Sequence, residues 1–229
     1  MTYTLQLHQI HQEEFTKSIT HPLTNELCAG TLSDTALYVY LKQDLKFFLE
    51  GLRVFGKAIA LCDNEVAILT LGKQIGFICN DENDYFRKAI SEIESHNLQQ
   101  LKKECPSMLG EAPALPEVQK YINLLEDISN NCKSYAEVIT FLYIMEKVYL
   151  GWAEHNYETE IIKDSLPYKY MEWIKLHSGN DFSAWVKFLE DEVNRVTTTD
   201  ENQRLSEAVF VKAIDLEIAF FDACHRYRE

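Results

Sequence analysis

Apolar residues recur along most of this chain at the spacing of one helix face, and no stretch alternates in the manner of a half-buried strand. An amphipathic segment from about Leu5 to Thr20 stops at His21-Pro22, and a short helix follows to the break at Gly30. Ser33 caps a long helix that carries Asp44 and reaches about Cys62, with a bend expected near Gly51 or Gly56. A second long helix runs from Glu65 past Gly72 and Gly76 towards Ile93. The stretch from His96 to Pro116, with Pro106, Gly110 and Pro113, reads as the only long connection. Further helices cover Pro116 to Asn130, a segment entered through Ser134 and Glu137 as a capping box, Met171 to Leu176, and Asp181 to Val196. Thr199 or Asp200 caps the last helix. With 8 Gly and 5 Pro in 229 residues there are few places for hairpin turns. The expectation is an all-α bundle folded as one domain over residues 1–229.

Four acids interrupt this pattern. Asp44 is flanked at one and two turns by Leu37, Tyr40, Leu41, Phe47 and Phe48, so it points the same way as the aromatics. Glu146 sits among Ile139, Leu142, Tyr143, Tyr149 and Leu150, and Glu217 among Phe210, Ile214, Phe220 and Phe221. Glu82 lies between Ile78 and the pair Tyr85 and Phe86. An ionised carboxylate in a core costs several kcal/mol unless it is paired, hydrogen-bonded or protonated. Taken singly, each is also compatible with a satisfied core acid or with the edge of a stripe. Taken together, they predict a polar pocket inside the bundle.

Composition narrows the partners. A formal net charge of −14 repels a phosphate backbone and an anionic membrane surface, so neither nucleic acid nor membrane is expected as a partner. No apolar run approaches the roughly 18–20 residues needed to cross a bilayer, and the opening MTYTLQLHQIHQEEF lacks the basic and apolar regions of a leader. A cytoplasmic location is expected. The six cysteines show no metal-ligand spacing and read as reduced thiols, with Cys79 and Cys224 the two near the acids in sequence.

Inward acids in a helical bundle first suggest a carboxylate-bridged di-metal centre, but no Glu-x-x-His element is present, so no metal site and no cofactor are expected. His8 and His11 share a helix face without a third ligand nearby and read as a partly exposed face. No phosphate-binding glycine loop and no serine nucleophile elbow occur. The chemistry therefore falls to the acids and the aromatics. Rings such as Phe47, Phe48, Phe220 and Phe221 suit stacking on a flat, weakly basic heteroaromatic ligand whose N–H groups donate to a carboxylate.

The motifs His21-Pro22 with Gly30-Thr31-Leu32, Tyr40-Leu41-Lys42-Gln43-Asp44, Asn80 to Phe86, Ile144 to Tyr149 and Leu216 to Phe221, in this order and spacing, resemble the TenA/THI-4 (thiaminase II) family over almost the whole chain. The details look closest to its fungal Pet18-like members and to the branch lacking the family's active-site cysteine. The resemblance implies a haem-oxygenase-like all-α fold, a homo-oligomer (tetramer or dimer) and thiamine salvage on aminopyrimidine fragments. By position, Asp44 corresponds to the acid that binds the pyrimidine, Tyr121 and Tyr149 to pocket tyrosines, and Glu217 to the catalytic glutamate. Met145 stands where the better-known branch has its nucleophilic cysteine, and a thioether cannot replace a thiolate. Glu146 and Glu82 correspond to acids of the cysteine-less branch. Phe47 replaces a pocket tyrosine, and His177 falls near another.

The expected function is a thiamine-salvage hydrolase acting on an aminomethyl- or formylaminomethyl-pyrimidine, with Glu217 and Glu146 catalytic and Asp44, Phe47, Glu82, Tyr121, Met145, Tyr149 and Phe220 binding substrate. The alternatives are a non-catalytic pyrimidine-binding or regulatory protein and, third, a di-metal oxidase.

Overall fold

The computed structural model describes residues 1–229 and contains helices without a strand. The helices are α1 (Tyr3–Ile10), α2 (Gln12–Ile19), α3 (Pro22–Ala29), α4 (Asp34–Leu61), α5 (Glu65–Phe77), α6 (Asn83–Glu104), α7 (Pro116–Asn131), α8 (Tyr135–Glu158), α9 (Tyr168–Leu176), α10 (Gly179–Val196) and α11 (Asp200–His225). A π-helical turn, Ile78–Glu82, joins α5 to α6. α8 is apolar on nearly every face and lies inside the bundle, packed by α10, α11, α2 and α4. α7 closes the remaining side between α4 and α11.

Local chemistry explains most boundaries. Ser33 and Thr199 accept from the backbone N–H groups of Ala36 (3.1 Å) and Asn202 (3.2 Å), capping α4 and α11 as expected. His21 uses both ring nitrogens. Its Nδ1 accepts from Leu23 N–H at 3.1 Å, and its Nε2 lies 3.3 Å from Asp222 on α11. Gly30 ends α3 in the left-handed region at φ 67°. Ser134 accepts from Glu137 N–H at 3.3 Å, but Glu137 turns its carboxylate to the Cys132 thiol at 3.1 Å, so only half of the capping box forms.

Three expectations need correction. The first segment is two helices, because His11 leaves helical geometry (φ −108°, ψ 33°) so that α1 packs on α10 while α2 packs on α8. The loop starts at Cys105, not His96. α6 continues through a kink at Asn97, whose side-chain amide donates to Asp34 at 2.6 Å and holds the bent helix against α4. α9 starts at Tyr168 and α10 at Gly179, two or three residues before the sequence reading of each. The shortened loop is fastened by Gln43, whose amide donates to Pro113 O and accepts from Leu115 N–H, both at 2.9 Å.

Candidate active site

The four acids come from separate elements and are all buried: Asp44 on α4, Glu82 at the end of the π-turn, Glu146 on α8 and Glu217 on α11. They divide between two adjoining layers. The outer layer is a cavity of about 500 Å³, counted out to its mouth and lined by Asp44, Glu82 and Glu146 with Phe47, Phe48, Phe86, Met145, Tyr149, Trp173 and His177. The free space enclosed inside it is about 60 Å³, and its walls are largely apolar with a few convergent polar groups, as in small-molecule sites. Glu217, Tyr121 and Phe220 do not line this cavity and form the layer behind it. Phe47 bridges the two, with its ring centroid 4.5 Å from that of Tyr121 and 6.4 Å from that of Phe220.

The boundary between the two layers is short of hydrogen bonds. Both Glu217 carboxyl oxygens, Asp44 Oδ2 and the Tyr121 hydroxyl are buried without a protein partner. Buried polar groups are normally satisfied, so a cluster of unpartnered ones points to a polar ligand or solvent between them. Burial pushes the Glu217 carboxyl up to about 8, with Asp44 adding to it and the nearby Tyr121 and Tyr149 hydroxyls opposing it. Burial likewise pushes Asp44 up to about 7, against the hydroxyls of Tyr40 and Tyr149. Glu146 is raised by burial to about 7, opposed by the Trp185 indole. Glu82 is raised well above the carboxylate range, by burial first and then by Glu146 and Asp44. Such acids are neutral or half-titrated near neutrality and can donate as well as accept protons.

A hydrogen-bonded aromatic scaffold fixes one wall. Trp173 Nε1 donates to the Tyr40 hydroxyl at 3.2 Å, and the Tyr40 and Tyr149 hydroxyls lie 3.2 Å apart. Trp173 stacks on Tyr85 with centroids 4.8 Å apart at 16°. His177 donates from Nδ1 to the Trp173 carbonyl at 2.9 Å, and burial lowers its pKa to about 4, so it is a neutral ring with Nε2 left as an acceptor. Trp173 was not anticipated from the sequence. Its stripe on a short helix carries no polar interruption to mark it.

Neither cysteine near the acids in sequence lines the cavity. Cys79 is exposed on the π-turn, and Cys224 is buried with its thiol pushed well above the usual range by burial, Asp44 and Glu217. Met145 is half-buried at the cavity wall. No three His, Cys, Asp or Glu side chains converge in a group that could hold a metal ion. His8 is partly exposed, as expected, with its ring against Phe15 and 2.8 Å from the Tyr143 hydroxyl.

Comparison with known proteins agrees with this architecture. The chain is 24% identical over 226 residues to an aminopyrimidine aminohydrolase of Helicobacter pylori, covering 96% of this chain and 97% of that protein. It is 21% identical to an aminopyrimidine aminohydrolase of Halalkalibacterium halodurans, covering 100% and 97%. A solved TenA homologue from Pyrococcus furiosus superposes with a TM-score of 0.76 at 20% identity, covering 97% of this chain and 99% of that one. The haem-oxygenase-like helical fold expected from the sequence is thus the fold of this chain. The sequence model of the TENA/THI-4/PQQC family matches residues 6–227, and the chain belongs to that family.

Proposed function

We propose that this protein is a thiamine-salvage hydrolase of the cysteine-less branch, acting on an aminomethyl- or formylaminomethyl-pyrimidine. The carrying observation is the set of unpartnered buried polar atoms on Asp44, in the wall of the aromatic cavity, and on Tyr121 and Glu217 behind it. Asp44 accepts from the ring amino and N–H groups, while Phe47 and Tyr149 contact the ring faces and Tyr121 and Phe220 back them. Glu217, protonated at neutral pH, donates to the departing nitrogen. Glu146 takes a proton from the attacking water, and Glu82 orients the substituent. In the amino case, water's oxygen bonds to the exocyclic carbon, the C–N bond breaks and ammonia leaves. In the formyl case, water's oxygen bonds to the formyl carbon, and formate and the aminomethyl compound are released. Met145 gives no covalent adduct, so water is the nucleophile.

The relatives named aminopyrimidine aminohydrolase support this reading over a binding-only protein. Glu217→Gln keeps the shape and removes the donated proton. It is expected to lower kcat by about 10²–10⁴-fold on either pyrimidine, the range for a general acid. Unchanged turnover in a folded Glu217→Gln protein contradicts the assignment. Pyrimidine binding by wild type with no hydrolysis would favour the regulatory alternative.

We also propose a cytosolic homo-oligomer, dimer or tetramer. No helix is long and apolar enough to cross a membrane. Val66 and Leu69 on α5 are 72% and 66% exposed beside Gly72 and Gly76, which supports burial of that face against a second copy. Light scattering of purified protein measures the mass, and a monomer overturns this reading.

A further inference from the structure

We propose that Gly51 sets the length of the group accepted on the aminomethyl nitrogen, and that the substrate carries a short aliphatic acyl group longer than formyl. This deepens the hydrolase reading above and rests on it.

The observation is a buried helix glycine with nothing around it. Gly51 lies in the interior of α4 and lines the cavity, yet a Cβ built on it meets no atom within 4 Å. The contrast is Gly151 on α8, where a Cβ would sit 2.7 Å from Ile19, and Gly30, which needs its positive φ. Gly56, Gly72 and Gly76 are equally uncrowded but face solvent. Glycine is a poorer helix former than alanine, so neither packing nor backbone geometry accounts for it at position 51. What the missing side chain leaves is cavity space.

The cavity wall also runs along α4 beyond Asp44, through Phe47, Phe48, Gly51, Leu52 and Phe55. Asp44, Gly51 and Phe55 share one face of α4, and at the helical rise per residue the axis runs about 10 Å from Asp44 to Gly51 and about 16 Å to Phe55. A formylaminomethyl-pyrimidine spans roughly 8 Å by ordinary bond lengths. Past Gly51 the α4 wall is Leu52 and Phe55, and with Ile78, which also lines the cavity, these suit an alkyl end. Glu82 also lines the cavity, and burial with Glu146 and Asp44 raises its carboxyl well above the carboxylate range, which suits it as a donor for an amide carbonyl. In the reaction, water's oxygen bonds to the acyl carbon, the C–N bond breaks and the nitrogen takes the proton from Glu217. The products are a short carboxylic acid and the aminomethyl-pyrimidine.

The test compares wild type, Gly51→Ala and Gly51→Val on the aminomethyl-pyrimidine and its N-formyl, N-acetyl and N-butyryl derivatives. Wild type is expected to hydrolyse N-butyryl at least as efficiently as N-formyl. Gly51→Val is expected to lower the ratio of kcat/KM for N-butyryl over N-formyl by at least about 10-fold, the size of a lost pocket contact, with Gly51→Ala between. A wild type that prefers N-formyl, or a ratio that Gly51→Val leaves unchanged, overturns the proposal. Gly51→Ala should melt at or above wild type, which separates lost specificity from lost fold. Should wild type hydrolyse none of the four, the hydrolase reading fails by itself. Melting shifts then decide the size rule: N-butyryl stabilising wild type but not Gly51→Val supports it, and equal shifts overturn it.

Discussion

Glu217 has two carboxyl oxygens in the interior and no hydrogen bond to either, a situation that costs on the order of 1–3 kcal/mol per unsatisfied group unless function requires it. Its legibility in the sequence came from that same misfit. Asp44, Glu82, Glu146 and Glu217 stand out because a charge in an apolar stripe violates the pattern around it, and all four are buried as the stripes predict. Trp173 and Gly51 violate nothing: an aromatic on an apolar face looks like core, and a helix glycine looks like a tolerated defect. The raised acids give a pH prediction. If Glu217 must be protonated and Glu146 ionised, kcat/KM rises as pH passes about 7 and falls as it passes about 8. The two limbs belong to the coupled cluster rather than to single residues. A profile that stays flat from pH 6 to 9 contradicts these roles.

At the scale of elements, the π-turn matters most. It adds one residue to what would otherwise be a continuous helix from α5 into α6, and it ends on Glu82, which reaches the cavity. The sequence reading ran a single helix through this point, because the extra residue leaves no mark in the apolar period until Tyr85 and Phe86. Glu82→Ala should leave the turn in place and remove the carboxyl from the cavity wall. The expected result is near-native helix content by circular dichroism with at least a ~10-fold loss in kcat/KM, as for a lost positioning group. Full activity in that variant would show that Glu82 is dispensable. The loop boundary was missed for a related reason. The Asn97 kink is held by a tertiary contact to Asp34, and nothing local announces that the helix resumes beyond it.

Across the whole molecule, the buried acids set how stability depends on pH. Asp44, Glu146 and Glu217 have folded-state pKa values raised to about 7–8 from ordinary values near 4, so the native state holds protons that the unfolded chain has released. Stability is therefore greatest below the unfolded values and declines as pH climbs through 7 and 8. His8 and His177, lowered to about 4, act oppositely, but only below about 6.5. Urea unfolding should show wild type less stable at pH 8.5 than at pH 6.5 by a few kcal/mol, each displaced pKa unit being worth about 1.4 kcal/mol. Glu217→Gln should reduce that difference. Equal stability at the two pH values would mean the acids are not held neutral by burial. The global architecture was legible because helical periodicity fills the chain and few residues break it. The division of the site into a cavity and a layer behind it was not, because periodicity gives direction but not depth.

In the proposed function, acids from α4, α8 and α11 converge to hold a planar aminopyrimidine. A crystal structure with hydroxymethyl-aminopyrimidine bound measures this most directly. The ring is expected hydrogen-bonded to Asp44 and held between Phe47 and Tyr149, with Glu217 drawn into contact with the exocyclic substituent. A ring bound elsewhere, or bound in the cavity with Asp44 and Glu217 both out of reach, contradicts it.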